Sequence, residues 1–384
     1  MKIQAMPLLA AAVVLSACGG GGGSSSGGSG DPSGSGSGLC AEVASGASNC
    51  TALLSTAQVE QALRVNTFNQ AITSLAETTA TYCDNTASDS ALTAVKDSFA
   101  TAAIAWQQLE PMQFGVVSES ARNDFYSWPL SVGKEGQIDD EIAAVAAGGQ
   151  FNPSPVRRGL TAAEYILYNN PADAARCDYA ERVTARMVGE AEALITAVAA
   201  YNPAQISNQQ AEVQAIFNAL FYLDTETKSA KTQEGILPED DAGTFDADNL
   251  EYKYANLNRA AVEANLEGAM AIFSGNNAIG FEQLLAASGQ ATLANTMKSS
   301  LQVAIDGAKE SEFSQSWRAI VANAGSADVQ ACVNAPVVIA SDSTDLQKLC
   351  SLPKKMQEFT GDLKNSASIA LSLSVPGGAE SDGD

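Results

Sequence analysis

The chain has 384 residues, a formal net charge of −23 and no histidine. The missing imidazole excludes Ser-His-Asp and Cys-His catalysis, and with them the imidazole ligand sets typical of catalytic zinc. Asp and Glu outnumber Lys and Arg by 44 to 21, which speaks against nucleic acid and against electrostatic docking on anionic lipid.

The N-terminus reads as an export signal. Lys2 supplies a positive start, Met6 to Val14 is an apolar run too short to span a bilayer, and Leu15-Ser16-Ala17-Cys18 has the form of a lipobox. Residues 1–17 are therefore expected to be a lipoprotein signal peptide, with lipid carried on Cys18. Residues 18–38 form a tether of glycine and serine. Glycine rather than aspartate at position 19 points to the outer membrane, with the lipid on Cys18 as the contact to it; the residues do not give the face, and the expected location is the periplasmic side.

Beyond the tether the patterns are helical. Apolar residues recur at helical spacing, β-branched runs are short, and Gly, Pro and Asn cluster between periodic segments. Helices are expected near 52–82, 172–200, 208–235, 247–274, 291–323 and 344–366. Another carries the stripe Val95, Phe99, Ala102, Trp106 and Leu109 and stops at Pro111. Pro336 to Ala340 is the one strand-like run, too isolated to make a sheet. The expected architecture is all-α: two packed helical bundles over 39–200 and 201–366, and an acidic tail over 367–384.

Setting Cys18 aside leaves Cys40, Cys50, Cys83, Cys177, Cys332 and Cys350. None forms a C-x-x-C pair, so structural disulfides suit an oxidising compartment. The pairing expected is Cys40–Cys50 and Cys332–Cys350 as local loops, and Cys83–Cys177 between distant helices.

Several residues point to a site. Glu164 lies between Ala163 and Tyr165 on an apolar helix, where a carboxylate must be paired, hydrogen-bonded, protonated or bound to a metal. Arg122, Arg157 and Arg158 are its candidate partners. Thr161 sits one turn earlier and shares its face. In the next half, Asp224, Lys228 and Lys231 extend the stripe of one helix, and Glu251, Tyr254 and Asn258 begin that of its neighbour. Antiparallel packing would bring Lys231, Glu251 and Tyr254 together. Against this stands the plainer reading that helix ends are wet and their charges pair weakly with one another. Acidic residues at 239–241, 246 and 248 do not follow a calcium-loop pattern.

Three motifs carry a family resemblance: W-x-x-x-E-P-x-x-F-G from Trp106 through Glu110 to Gly115, R-x-x-F-x-x-W-P from Arg122 to Trp128-Pro129, and G-L-x-A-x-E-Y-x-L from Gly159. Together they resemble the imelysin family of bacterial envelope proteins, first described as insulin-cleaving peptidases and now mostly associated with iron uptake. The resemblance runs from about Val65 to about Thr360. It implies a cleft between two helical bundles whose candidate residues are Trp106, Glu110, Arg122, Trp128, Gly159, Thr161, Glu164, Lys231, Glu251 and Tyr254, with no catalytic residue assigned. Glu164 and Glu251 are the metal-ligand candidates, and their oxygens suit iron or another hard metal ion. The chain departs from the family's G-x-H-x-x-E motif: Gly159 to Glu164 reads GLTAAE, with Thr161 in the place of the histidine.

The expected function is accordingly a non-enzymatic, lipid-anchored binding protein associated with iron or other metal uptake, taking a metal, a small ligand or an envelope protein partner. The alternatives are a metallopeptidase, which the missing histidine disfavours, and a helical scaffold whose family site has decayed.

Overall fold

The structure, a computed structural model, describes residues 40, 49–117, 119–169, 173–240, 242–340 and 342–380. The expected signal peptide, Cys18 and the glycine-serine stretch lie outside the described residues, as do residues 381–384. Among the described residues there are no strands, and no helix is long and apolar enough to cross a membrane.

The first half is built on α1 (Asn49–Asp84) and α2 (Asp89–Leu109). Ser88 starts α2 by accepting the Ala91 amide hydrogen, a side-chain cap for an otherwise orphaned donor. The Val95–Leu109 stripe then turns inward. Trp106 packs against Phe68 and Phe125, with ring centroids 5.3 and 5.2 Å away. The short helices α3 (Glu119–Phe125) and α4 (Val132–Ala146) lead to α5 (Gly159–Tyr168) and the long α6 (Ala174–Ala200), which lies along α1.

The second half comprises α7 (Gln209–Leu220), α8 (Asn258–Ser274), α9 (Phe281–Ala287), α10 (Ala291–Ala308), α11 (Trp317–Asn323), α12 (Val329–Val333), α13 (Asp345–Asp362), α14 (Ser368–Leu371) and α15 (Gly377–Glu380). Helix α8 packs on α2, and α10 on α13. The contact between α2 and α8 is close because Gly268 has no side chain: a Cβ there would meet the Gln108 carbonyl oxygen at 2.4 Å. The two halves share one continuous hydrophobic core.

All three expected disulfides are present: Cys40–Cys50, Cys83–Cys177 and Cys332–Cys350.

Four boundaries differ from those expected. Helix α7 does not run straight to residue 235; after Leu220 it passes into a π-helical stretch, Leu223–Ala230. The wider turn changes the register, so that Asp224 and Lys228 pair with each other while Lys231 reaches Glu110 and Glu251. The helix expected from 247 begins only at Asn258, because Tyr252 and Asn256 take left-handed φ values of 48° and 58°. The helix expected over 291–323 stops at Ala308 and resumes at Trp317, capped by Ser316. Residues 367–380 do not form a free acidic tail: α14 continues the α13 helix through a second π-helical turn, and Leu371, Leu373 and Ala379 are buried. Pro336 to Ala340 is irregular rather than extended into a strand.

Candidate functional site

A buried charged cluster lies where α2, the π-helical stretch after α7, and the irregular segment before α8 meet. The Lys231 ammonium is its centre. Its Nζ lies 2.9 Å from Glu110 Oε2, 3.0 Å from Glu251 Oε1, 2.6 Å from Gln107 Oε1 and 3.0 Å from Asn265 Oδ1. Lys231, Glu110 and Glu251 are each at most 1% exposed.

Each member is held by its own element. Glu110 closes the last turn of α2, directly after the Trp106 face. Gln107, one position along from Trp106, donates to Glu251 Oε1 and to the Tyr252 hydroxyl, both at 3.0 Å. Asn265 donates to the Gln107 carbonyl oxygen at 2.7 Å, a bond that the α2–α8 approach at Gly268 permits. The Tyr126 hydroxyl donates to Glu251 Oε1.

Burial acts differently on the two carboxylates. At Glu110 it opposes the charge, but Lys231 and then Arg122 outweigh it and hold the carboxyl below its usual range. At Glu251 burial raises the pKa; Lys231 offsets it only in part, and neighbouring Glu110 adds to the rise. Glu251 Oε2 is buried without a hydrogen-bond partner. The cluster therefore has one firmly ionised carboxylate and one that holds its proton more readily.

Arg122 links this cluster to the surface. Its Nε donates to Glu110 Oε1 at 2.7 Å, and its terminal nitrogen to Glu226 Oε2 at 3.1 Å. Arg122, Glu226, Tyr222, Asn218, Gln113 and Pro376 line an open groove of about 420 Å³. The Tyr222 hydroxyl on its wall is buried and has no hydrogen-bond partner.

Glu164 lies apart from this cluster, packed among Tyr126, Trp128, Thr161, Tyr252 and Lys253 with no room for a water molecule between them. None of its expected arginine partners reaches it: Arg122 pairs with Glu110 and Glu226, Arg157 with Glu141, and Arg158 with Asp124. Glu164 Oε1 instead accepts the amide hydrogens of Tyr254 and Ala255, each at 2.9 Å. Burial pushes its pKa up to about 7, against the pull of those two amides. Thr161 accepts the Ser127 amide hydrogen at 3.1 Å and so helps hold the segment carrying Trp128. Lys253 pairs with Glu135 at 2.9 Å.

Gly159 is needed for backbone reasons. Its φ is +76°, and a Cβ would lie 2.4 Å from the Phe125 carbonyl oxygen, so only glycine fits where α5 begins against the end of α3.

The cleft residues expected from sequence thus divide. Glu110, Lys231 and Glu251 meet, with Arg122 at the edge; Thr161, Glu164 and Trp128 pack together beside them. Trp106 does not line a cleft: it is fully buried in the aromatic core. Tyr254 turns its hydroxyl to Glu135 at 2.6 Å and contributes only its amide to Glu164. Asp224 and Lys228 pair with each other at 2.8 Å. Gln107, Tyr126, Tyr252 and Glu226 do not stand out in the sequence; an uncharged polar residue inside an apolar stripe, as at Gln107, is the available signal.

Glu164 and Glu251 do not fit a metal centre in this geometry. Among the described residues no group of three or more Cys, Asp or Glu could hold an ion. Between Glu110 and Glu251 the place of a cation is taken by Lys231, and Glu164 Oε1 is committed to two amides.

A family model described as imelysin matches residues 63–341. Among solved structures, an imelysin-like protein from Psychrobacter arcticum 273-4 is similar with a TM-score of 0.65 at 19% identity, over 85% of this chain and 96% of that one. A putative iron-regulated protein A precursor from Parabacteroides distasonis ATCC 8503 is similar with a TM-score of 0.59 at 14% identity, over 82% of this chain and 95% of that one. No curated protein matches the chain.

Proposed function

The chain belongs to the imelysin family, and from that premise we propose that it is a non-enzymatic binding protein of the bacterial envelope, associated with iron uptake. Lipid on Cys18 anchors it to the outer membrane, facing the periplasm. Its ligand enters the groove beside Arg122 and Tyr222.

The observation that carries this reading is the span of Arg122. It is the charged side chain that lines the groove and also reaches the buried cluster, 2.7 Å from Glu110. A ligand that draws Arg122 outward weakens its hold on Glu110 and so acts on the joint between α2 and the second half. The buried groups suit this better than turnover: Glu110, Lys231 and Glu251 pair with one another out of reach of solvent, whereas a general acid or base must reach its substrate.

The association with iron is supported by the family and by the iron-regulated name of one structural neighbour. Because the carboxylates do not form a metal cage, iron reaches the protein as a complex bound in the groove rather than as a bare ion among Glu164 and Glu251.

The test is a thermal-shift series on the full chain with Fe³⁺, Fe²⁺, haem and ferric citrate, and with Zn²⁺ and Ca²⁺ as controls, repeated on Arg122→Gln. Binding to the native state stabilises by RT ln(1 + [L]/Kd), about 2.7 kcal/mol at a hundredfold excess over Kd. A shift with haem or ferric citrate that Arg122→Gln loses supports the reading. No shift with any iron form, or one that Arg122→Gln keeps, overturns it. For the anchor, incorporation of labelled palmitate that Cys18→Ser abolishes is the expected result.

A further inference from the structure

Two opposite charges stand side by side on the wall of the groove beside Arg122. One terminal nitrogen of Arg122, Nη2, lies 3.1 Å from Glu226 Oε2, while its Nε is held by Glu110. Among the described residues the other terminal nitrogen, Nη1, has no hydrogen-bond partner, and neither has Glu226 Oε1. Neither atom is buried, and the two side chains keep 18% and 33% of their surface exposed. Both residues line the groove, so its contents face a cationic donor and an anionic acceptor next to each other.

The chain fixes the positions of both. Arg122 is tied to the wall by the buried Glu110, 2.7 Å away. Glu226 stands on the π-helical stretch Leu223–Ala230, which also brings Thr225 to the groove directly after Tyr222. Such stretches are rare and are frequent at functional sites.

The paired charges decide what fits. A lone anion at Arg122 Nη1 would lie beside the Glu226 carboxylate, and a lone cation at Glu226 would lie beside the guanidinium; each would be repelled by the neighbour it does not need. A ligand that carries both charges a short distance apart meets an attractive partner for each. A guanidinium nitrogen suits a carboxylate oxygen, and a carboxylate oxygen suits an ammonium. The rest of the lining is uncharged: Gln113, Asn218 and Thr225 can hydrogen-bond, while Phe221, Pro376 and Ala379 are apolar. A volume of about 420 Å³ leaves room for more than the charged end of a small molecule.

We propose that the groove binds the α-amino-carboxylate end of a small zwitterionic molecule, its carboxylate accepting from Arg122 Nη1 and its ammonium donating to Glu226 Oε1. This inference rests on the reading of the groove as the binding site and narrows the ligand there. Iron, where the ligand carries it, is held by another part of that molecule.

Three probes share a phenyl ring and differ in charge: L-phenylalanine, phenylpropionate without the ammonium, and phenylethylamine without the carboxylate. Each is titrated calorimetrically into the full chain near neutral pH at constant ionic strength, with ferric citrate as a further titrant. Expected is saturable binding of L-phenylalanine with a Kd of about 1 mM or tighter, and binding about tenfold weaker or worse for both analogues. Glu226→Gln keeps an oxygen on the wall and removes the charge that holds the ammonium. It should weaken L-phenylalanine about tenfold and erase its advantage over phenylpropionate. The proposal is overturned by an analogue that binds as tightly as L-phenylalanine, by no binding of L-phenylalanine, or by an advantage that survives in Glu226→Gln. Should Glu226→Gln fail to fold, the ranking of the three probes on the wild-type chain decides. Ferric citrate separates the two readings of the groove. If it binds and L-phenylalanine does not, the amino-carboxylate site is lost and the groove remains an iron-complex site; if L-phenylalanine binds and no iron form does, the amino-carboxylate site stands and the association with iron is lost.

Discussion

Glu164 accepts the backbone amide hydrogen of Tyr254 at 2.9 Å, tying α5 to a segment 90 residues further along the chain. Ala255 donates to the same oxygen at the same distance. A side chain on the first half thus fixes the course of residues 250–257, and that segment delivers Glu251 to Lys231.

This has a pH signature. With its folded pKa pushed up to about 7 by burial, Glu164 keeps its proton in the native state where the unfolded chain has lost it. Its contribution is fully present below the unfolded carboxylate range, falls as pH rises from there through about 7, and is constant above that. The size is roughly 3 kcal/mol, at about 1.4 kcal/mol for each pH unit that separates the folded value from the unfolded one. Glu251, raised in the same direction, adds to the fall. Glu164→Gln retains an oxygen for the two amides and cannot ionise. It should flatten this part of the stability profile and be at least as stable as wild type at pH 8. Urea titrations at pH 5, 6, 7 and 8 would check it; an unchanged slope would show that Glu164 is not the titrating group.

Gly159→Ala should be costly. The substitution combines a left-handed φ of +76° with a Cβ 2.4 Å from the Phe125 carbonyl oxygen. Strain at such a φ costs about 1–3 kcal/mol before the overlap is counted, so a loss of more than about 2 kcal/mol is expected by chemical denaturation. Gly136→Ala, where nothing lies within 4 Å of the added carbon, serves as the control and should be nearly neutral. Equal losses in both would mean that the close approach of α5 to α3 is unimportant.

How much of this is legible in the sequence depends on what each residue interacts with. The segment from Trp106 to Glu164 stands out because its residue types are costly for a plain helix. Lys231 and Glu251 can be brought together by reasoning about antiparallel neighbours. The geometry delivering them cannot. Tyr252 and Asn256 adopt left-handed φ, although neither is glycine, and local pattern carries no mark of that. The turn forms because Glu251, Tyr252, Lys253 and the Tyr254 amide each have a different partner: Lys231, Gln107, Glu135 and Glu164. A helix would splay those groups at fixed intervals and satisfy only some. The π-helical register after α7 is hidden for the same reason. Trp106, conversely, reads as site material because large aromatics serve either role, and only packing against Phe68 and Phe125 settles which.

The Cys83–Cys177 bridge joins the end of α1 to the start of α6 across 94 residues. Closing a loop of that length restricts the unfolded chain strongly, and removal of such a bridge typically costs about 2–5 kcal/mol. The double variant Cys83→Ser, Cys177→Ser should therefore unfold at markedly lower urea concentration. Removing the short Cys332–Cys350 loop, of separation 18, should cost less. The opposite ranking would show that the unfolded chain is not where these bridges act.

Lys231→Met is the most direct test of the buried charged cluster. It leaves Glu110 and Glu251 buried, with Arg122 as the remaining close cation, so a loss of about 3–5 kcal/mol is expected. If the lysine serves mainly to neutralise the pair, the loss must depend on both acids. Adding Glu251→Gln removes the charge that Lys231→Met leaves uncompensated, so the double variant should regain part of the stability. Adding Glu110→Gln instead should regain less, because Arg122 still compensates Glu110 at 2.7 Å. Lys231→Arg should not substitute: the guanidinium is larger than the ammonium, and four oxygens already stand within 3.0 Å of Nζ. A double-mutant cycle by urea denaturation measures the coupling directly. Additive losses for Lys231→Met and Glu251→Gln would contradict the pairing at the centre of the site.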